Sequence, residues 1–186
     1  MGRFDQGAAE AEMALELDPL SLNHNAMCGW LLYFSRRYGQ AIERFRATIE
    51  LEPNYFLAYW GMGWTLVQQG RYDEAVVELR KGLALGGGTE LTAALSHAYA
   101  RAGCAEEARR LLDDLRELTK RRYVAPFYFA LANVGLGKID ETFAALEQAY
   151  RDRFEWLAPF KVDPVWDPLR DDPRFDDLVR RIGLAR

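Results

Sequence analysis

Small and bulky residues recur along the chain with a period of about 34 residues, a length typical of helical repeats. One row of small side chains has one member in each period, at Gly7, Ala41, Ala75, Ala108 and Thr142. Two rows keep step with it: a second small row at Gly29, Gly63, Ser96 and Ala130, and a bulky row at Phe45, Leu79, Leu112 and Leu146. Three rows in one register indicate an array of structural repeats.

Each period contains two stretches with helical spacing of apolar positions, separated by a short break. In the best-preserved unit, the pattern predicts a first helix over about residues 22–35 and a second over about residues 38–51. Small side chains at Gly29 and Ala41 let the two backbones approach closely, because larger side chains there would force the pair apart. No useful stretch alternates with a period of two, so the sequence predicts antiparallel helix pairs and negligible strand.

The second helix of a pair ends in one of two ways. In the first units it runs into Pro19 or Pro53, and proline disfavours helical geometry in the residue before it. In the third unit the glycines of residues 86–88 stand at this place. Glycine ends a helix by permitting left-handed backbone, which leaves two interpretations open: a looser joint that acts as a hinge, or an ordinary helix stop.

Residues 22–88 carry the repeat pattern most clearly. It consists of Asn25, Cys28, Gly29, Leu32, Tyr38, Ala41, Phe45, Thr48 and Pro53, then Tyr59, Met62, Gly63, Leu66, Tyr72, Ala75, Leu79 and Gly82. This pattern resembles that of the tetratricopeptide repeat family. The resemblance covers residues 2–152, as a half repeat 2–21 and repeats 22–55, 56–88, 89–122 and 123–152. It implies an all-α, right-handed superhelical solenoid of antiparallel helix pairs.

Both ends of the array depart from the repeat. Residues 2–21 match only the second helix of a unit, so we expect the chain to begin within a repeat, as a fragment would. Residues 153–186 contain three Asp-Pro steps, and Asp172 can cap a last helix that has Pro173 at its first position. We expect this capping segment to cover the last helix pair. It resembles the closing segment of arrays at the C-terminal end of bacterial multidomain regulators.

Composition restricts the partners. The 186 residues carry a formal net charge of −4 with a pI near 5.3, so no overall basic field attracts nucleic acid or an anionic membrane. The chain has no apolar run of about 18 residues and no apolar signal core at its N-terminus. Cys28 and Cys104 lie more than two repeats apart, and two free thiols suit a reducing compartment. We therefore expect a cytoplasmic chain.

No residue set predicts catalysis, a metal or a cofactor. His24 and His97 lie two repeats apart without other ligands nearby in sequence. Cys104 has no neighbouring histidine to activate it. The glycines of residues 86–88 lack the Lys and Ser/Thr of a phosphate loop and follow a helix. We expect a protein that is not an enzyme.

The resemblance implies that the first helix of each pair lines a concave groove. By register, the predicted groove residues are Trp30, Tyr33, Phe34, Trp60, Trp64, Gln68, His97, Arg101 and Phe127. Some family members hold a peptide's carboxylate with Lys and Asn on these helices, but this chain has Ala26, Trp30, Trp60 and Trp64 at those positions. The groove is therefore expected to take apolar or aromatic side chains of a partner segment.

Two functions remain open. The first is a non-catalytic module that binds a protein or peptide segment through the aromatic groove, as part of a larger bacterial regulatory protein. The second is a structural or self-association module whose groove is filled by its own chain. In that case homo-oligomers would form through the open apolar face of the N-terminal half repeat.

Overall fold

The structure is a computed structural model that describes residues 4–184; within the first helix it describes the side chains at positions 7, 10, 11, 13 and from 15 onward. The described chain is helical and contains no strand. Its α-helices are α1 (Phe4–Leu17), α2 (Leu22–Phe34), α3 (Tyr38–Leu51), α4 (Phe56–Gln68), α5 (Tyr72–Ala84), α6 (Thr89–Arg101), α7 (Ala105–Thr119), α8 (Pro126–Gly135), α9 (Ile139–Arg151) and α10 (Pro173–Ile182). Two short 3₁₀ helices, η1 (Glu155–Leu157) and η2 (Pro164–Leu169), lie between α9 and α10. The all-α prediction is confirmed.

The chain divides into two compact units, Met1–Leu91 and Thr92–Arg186. In the first unit, α2 packs with α3 and α4 packs with α5 as helix pairs, α3 packs on α4, and α1 packs on α2. The helices α2 and α3 begin where the sequence predicts and end within one residue of the predicted ends.

The repeating rows explain why these helices pair. A Cβ atom added at Gly29 would lie 2.6 Å from Cε1 of Phe45, and one added at Gly61 would also overlap the Phe45 ring. A Cβ atom at Gly63 would overlap Leu79 in the same way. Each bulky side chain of a second helix thus fills the space left by glycine on a first helix, and a larger residue there would separate the two backbones.

The glycines of residues 86–88 end α5 in a compact turn. Gly86 has a left-handed φ of 97°, and the Gly87 N–H donates to the Gly82 carbonyl oxygen at 3.1 Å. A Cβ atom at Gly87 would overlap the Leu91 side chain. These contacts within the first unit favour the ordinary helix stop of the two interpretations.

In the second unit, α8 packs with α9 as a helix pair and α7 packs on α8. The Ser96 hydroxyl of α6 donates to the Ala108 carbonyl oxygen of α7 at 2.8 Å, so the two rows of small residues also meet here. After α9 the chain turns through η1 and η2 into α10. The start of α10 at Pro173 follows the start of α9 at Ile139 by one repeat period.

The capping segment packs on α8 and α9. The Asp172 side chain accepts a hydrogen bond from the Arg174 N–H and caps α10, as predicted. The Arg174 guanidinium stacks over the Phe143 ring at 4.2 Å and pairs with Asp140 of α9 at 2.9 Å. Trp166 of η2 is fully buried and contacts the Phe127 ring of α8. The C-terminal segment is therefore part of the second unit's core.

Candidate partner-binding groove

In the first unit the predicted groove is built around Trp30 of α2. Its ring lies 5.6 Å from Tyr33 in an edge-on contact and 6.0 Å from Phe34 in a stacked one. It also contacts Trp60 of α4 at 5.2 Å. Trp64 extends the row, with its ring centroid 6.5 Å from that of Trp60. The sequence pattern therefore brings these five aromatic side chains together on two neighbouring first helices.

The helical spacing explains this row. Positions 30 and 34, and positions 60 and 64, are one helical turn apart and project from the same side of a helix. Phe45 of α3 supports the row from below, with its ring 5.6 Å from that of Trp30. Phe45 belongs to the bulky packing row of the sequence, and the match of its ring to Gly29 and Gly61 also positions Trp30.

Most of the predicted groove residues are buried. Tyr33 is 0% exposed, Trp60 and Trp64 are each 3% exposed, His97 is 4% exposed and Phe127 is 3% exposed. Trp30, Phe34 and Gln68 are half-buried, and Arg101 is exposed. The aromatic rings of the first unit cover one another, which accounts for this burial. In the first unit, the accessible aromatic surface among the predicted residues belongs to Trp30 and Phe34.

His97 of α6 contacts α8 within the second unit. Its Nδ1 donates to the Leu131 carbonyl oxygen at 3.0 Å, since a carbonyl can only accept. The pKa of His97 is lowered to about 4, first because burial disfavours the charged ring and also because of the Arg101 charge; the Leu131 hydrogen bond acts in the opposite direction. This histidine is therefore neutral at pH 7 and unsuited to hold an anion.

The Phe127 position is covered by the chain itself. The rings of Phe154 and Trp166, both from the capping segment, lie 5.3 Å and 5.6 Å from the Phe127 ring. The sequence predicts that the capping segment covers the last helix pair, and a groove filled by the chain itself is one of the two functions that it leaves open. Prolines and Asp-Pro steps signalled turns in this segment, whereas the destination of the Trp166 ring has no local signal.

The described residues offer no metal or membrane chemistry. Among residues 4–184, no group of three or more His, Cys, Asp or Glu side chains is placed to hold a metal ion. No helix in that range is long and apolar enough to cross a membrane.

Residues 32–90 match the sequence profile of the Tetratricopeptide repeat family. No curated protein matches the chain in sequence. The matched residues contain the α4–α5 pair and all of α3, so the sequence likeness is centred on the units with the clearest repeat pattern.

Solved structures are similar over almost the whole chain. YrrB, described as a TPR protein with an unusual peptide-binding site, superposes with a TM-score of 0.55 at 18% identity, covering 94% of this chain and 91% of YrrB. A tetratricopeptide repeat protein from Parabacteroides merdae superposes with a TM-score of 0.56 at 12% identity, covering 97% of this chain and 68% of that protein. The chain thus has the fold of tetratricopeptide repeat proteins, and its residues 32–90 match the repeat family in sequence.

Proposed function

We propose that this chain is a non-catalytic module that binds an apolar or aromatic segment of a partner protein through the first-unit groove. Trp30 and Phe34 make the contact surface, and Tyr33, Trp60 and Trp64 support it from within the core. Gln68 lies at the rim with a polar amide. Repeat folds commonly serve as binding scaffolds, and the description of YrrB as peptide-binding supports the same use of this fold.

The half-buried, stacked pair of Trp30 and Phe34 is the observation that carries the proposal. The two rings lie 26° from parallel and rest on buried aromatic neighbours, so their positions are fixed before a partner arrives. A rigid aromatic surface loses little conformational entropy on binding. None of the six predicted groove residues in the first unit is charged, which favours an uncharged partner segment.

We expect the variant Trp30→Ala/Phe34→Ala to weaken partner binding by about 30-fold or more, because aromatic anchors typically contribute about 2 kcal/mol each. The full chain would first select peptides from an array of short sequences that place Trp, Phe or Leu in varied spacing. Isothermal titration calorimetry would then measure Kd for the tightest peptide. Trp60 and Trp64 are left unchanged, because truncating these buried rings would disturb folding.

The matched control is Arg109→Gln/Arg110→Gln on the exposed face of α7. It should change Kd less than about twofold, since exposed charges contribute little. Loss of binding in the arginine variant, with binding intact in the aromatic variant, would show that the groove is not the binding surface.

A self-association module is the second candidate. In this candidate the groove is filled by the chain itself, and the rings of Phe154 and Trp166 cover the groove position Phe127 in this way. Exposed Leu17, Leu20 and Met27 at the N-terminal end of the first unit offer an apolar surface to another copy. Size-exclusion chromatography with light scattering separates the two candidates, because a monomer at every concentration contradicts self-association.

We also propose a cytoplasmic location and a place within a larger bacterial regulatory protein. Two free cysteines, buried Cys28 and exposed Cys104, support the cytoplasmic location, because exposed thiols persist in reducing compartments. The Asp-Pro-rich sequence of residues 163–175 supports the place within a larger regulatory protein. His97 and Arg101 belong to the second unit, so the proposed binding through the first-unit groove does not involve them.

A further inference from the structure

One edge of the second unit gathers exposed arginines. The turn between α7 and α8 contains Arg121 and Arg122, and Arg153 follows the end of α9. The Tyr123 hydroxyl donates to an Asp152 carboxylate oxygen at 2.8 Å, which joins the turn to the end of α9. Arg122 precedes Tyr123 and Arg153 follows Asp152, so this hydrogen bond places the cationic residues at the same edge. We call Arg121, Arg122 and Arg153 the arginine edge.

Most exposed cations of the preceding segment are paired. Arg109 and Arg116 of α7 and Lys120 after it each pair with an acid one helical turn earlier, at 2.5–2.8 Å, whereas Arg110 has no ion pair among the described residues. Within the described part of the chain, the guanidinium groups of the arginine edge form no ion pair or hydrogen bond. They keep all their N–H donors available for a carboxylate, which a guanidinium binds in a planar, two-point geometry.

Arg153 occupies a backbone conformation that disfavours a side chain. Its φ is 53°, whereas Gly103 and Gly137 hold the left-handed position after α6 and α8. A non-glycine residue there is strained, because its Cβ atom lies close to the following carbonyl oxygen. Strain of this kind concentrates at functional sites, so a left-handed arginine at this place supports a role in binding.

We propose that the arginine edge is a second interaction surface, which binds a short acidic segment of a partner protein. A nucleic acid fits less well, because a longer phosphate backbone would meet the net charge of −4 and the acidic Asp152 and Glu155, which flank Arg153 in sequence. A segment with two or three carboxylates matches the three guanidinium groups. This surface belongs to the second unit and shares no residue with the first-unit groove, so each is tested with its own variants.

The test uses the full chain and a fluorescein-labelled decaglutamate peptide, with fluorescence anisotropy in about 50 mM salt. The variant Arg121→Gln/Arg122→Gln/Arg153→Gln should raise Kd about 10-fold. The control Arg109→Gln/Arg110→Gln/Arg116→Gln removes the same charge from α7 and should raise Kd less than about threefold. In about 150 mM salt the difference between the variants should shrink, because salt screens exposed charges.

Tyr123→Phe supplies a second measurement. Without the hydroxyl, Asp152 loses the bond that ties it to the turn, and its carboxylate becomes free to repel the probe. Affinity should fall about two- to threefold while the melting curve stays close to wild type. Equal weakening by both triple variants, or no binding of decaglutamate by the wild-type chain, would overturn the proposal. Tighter binding of a single-stranded oligonucleotide than of decaglutamate would assign the edge to nucleic acid instead.

Discussion

His97 makes the stability of the second unit depend on pH. Its pKa in the folded chain is lowered to about 4 from 6.5, so the unfolded chain takes up the proton first as the pH falls. This contribution to stability is fully present above pH 6.5 and is lost as the pH falls from 6.5 to about 4. The lowered pKa corresponds to a total loss of about 3 kcal/mol.

We expect His97→Gln to remove that part of the pH dependence, because a glutamine amide can still donate to the Leu131 carbonyl oxygen but does not titrate. Urea unfolding at pH 7.5, 6 and 5 would measure it. The carboxylates titrate in both proteins, so the difference between the two curves reports His97. If the free energy of unfolding fell equally with pH in wild type and variant, His97 would not be a buried, neutral histidine.

At the same scale, the sequence predicts which residues share a helix face but not how far neighbours cover them. Trp60 and Trp64 fall on the predicted face, yet each is buried, since Trp30 and other side chains surround them. The depth at which a ring lies depends on contacts between helices that are distant in sequence. Periodicity therefore located the aromatic cluster and left its exposed part, Trp30 and Phe34, undetermined.

At the scale of elements, the first helices of successive pairs end in the same way. A left-handed residue follows each of them: Arg36 with φ 60°, Gly70 with φ 73°, Gly103 with φ 83° and Gly137 with φ 71°. At each end, the next residue's N–H donates to a carbonyl oxygen of the last turn, as Arg71 does to Leu66 at 3.0 Å. This is the Schellman arrangement, which glycine adopts without strain.

Arg36→Gly should therefore stabilise the chain by about 0.5–1 kcal/mol, because relief of the left-handed strain exceeds the added freedom of the unfolded chain. The reciprocal variant, Gly70→Ala, should destabilise by about 1 kcal/mol. Nothing lies within 4 Å of a Cβ atom at Gly70, so this cost comes from the backbone alone. Chemical unfolding measures the free energy of unfolding of both variants. A less stable Arg36→Gly chain would mean that the contacts of the arginine side chain stabilise the fold by more than its backbone strain destabilises it.

The elements were predictable where rows of residues repeat, and less so where they stop. The end of α3 follows from Pro53, and that of α2 from the apolar spacing. The start of α10 follows from Asp172 and Pro173, but its position one repeat period after the start of α9 is a finding of the structure. The 3₁₀ helices η1 and η2 have no repeat signal, and the contact of η2 with α8 depends on the folded second unit.

At the scale of the whole molecule, the two ends of a repeat array need a cover, because each repeat packs an apolar face on the next one and the terminal repeats have no such neighbour. The capping segment does this for the second unit with four fully buried side chains: Phe160, Trp166, Leu169 and Leu178. Burying one such side chain contributes about 1.5–3 kcal/mol, so the four together rival the net stability of a domain. Arg174 and Arg181 add ion pairs to Asp140 and Glu147 of α9.

Deleting residues 153–186 should lower the melting temperature and promote aggregation, because Phe127 and Phe143 would lose the rings and guanidinium that now cover them. Differential scanning calorimetry and light scattering would follow both effects. A milder variant, Arg174→Ala, removes two exposed ion pairs, to Asp140 and Asp172, and one stacking contact, and should lower the melting temperature by only a few degrees. If the shortened chain remained monomeric with an unchanged melting curve, the segment would be a docking arm for another molecule, and its contacts with α8 and α9 would contribute nothing to folding.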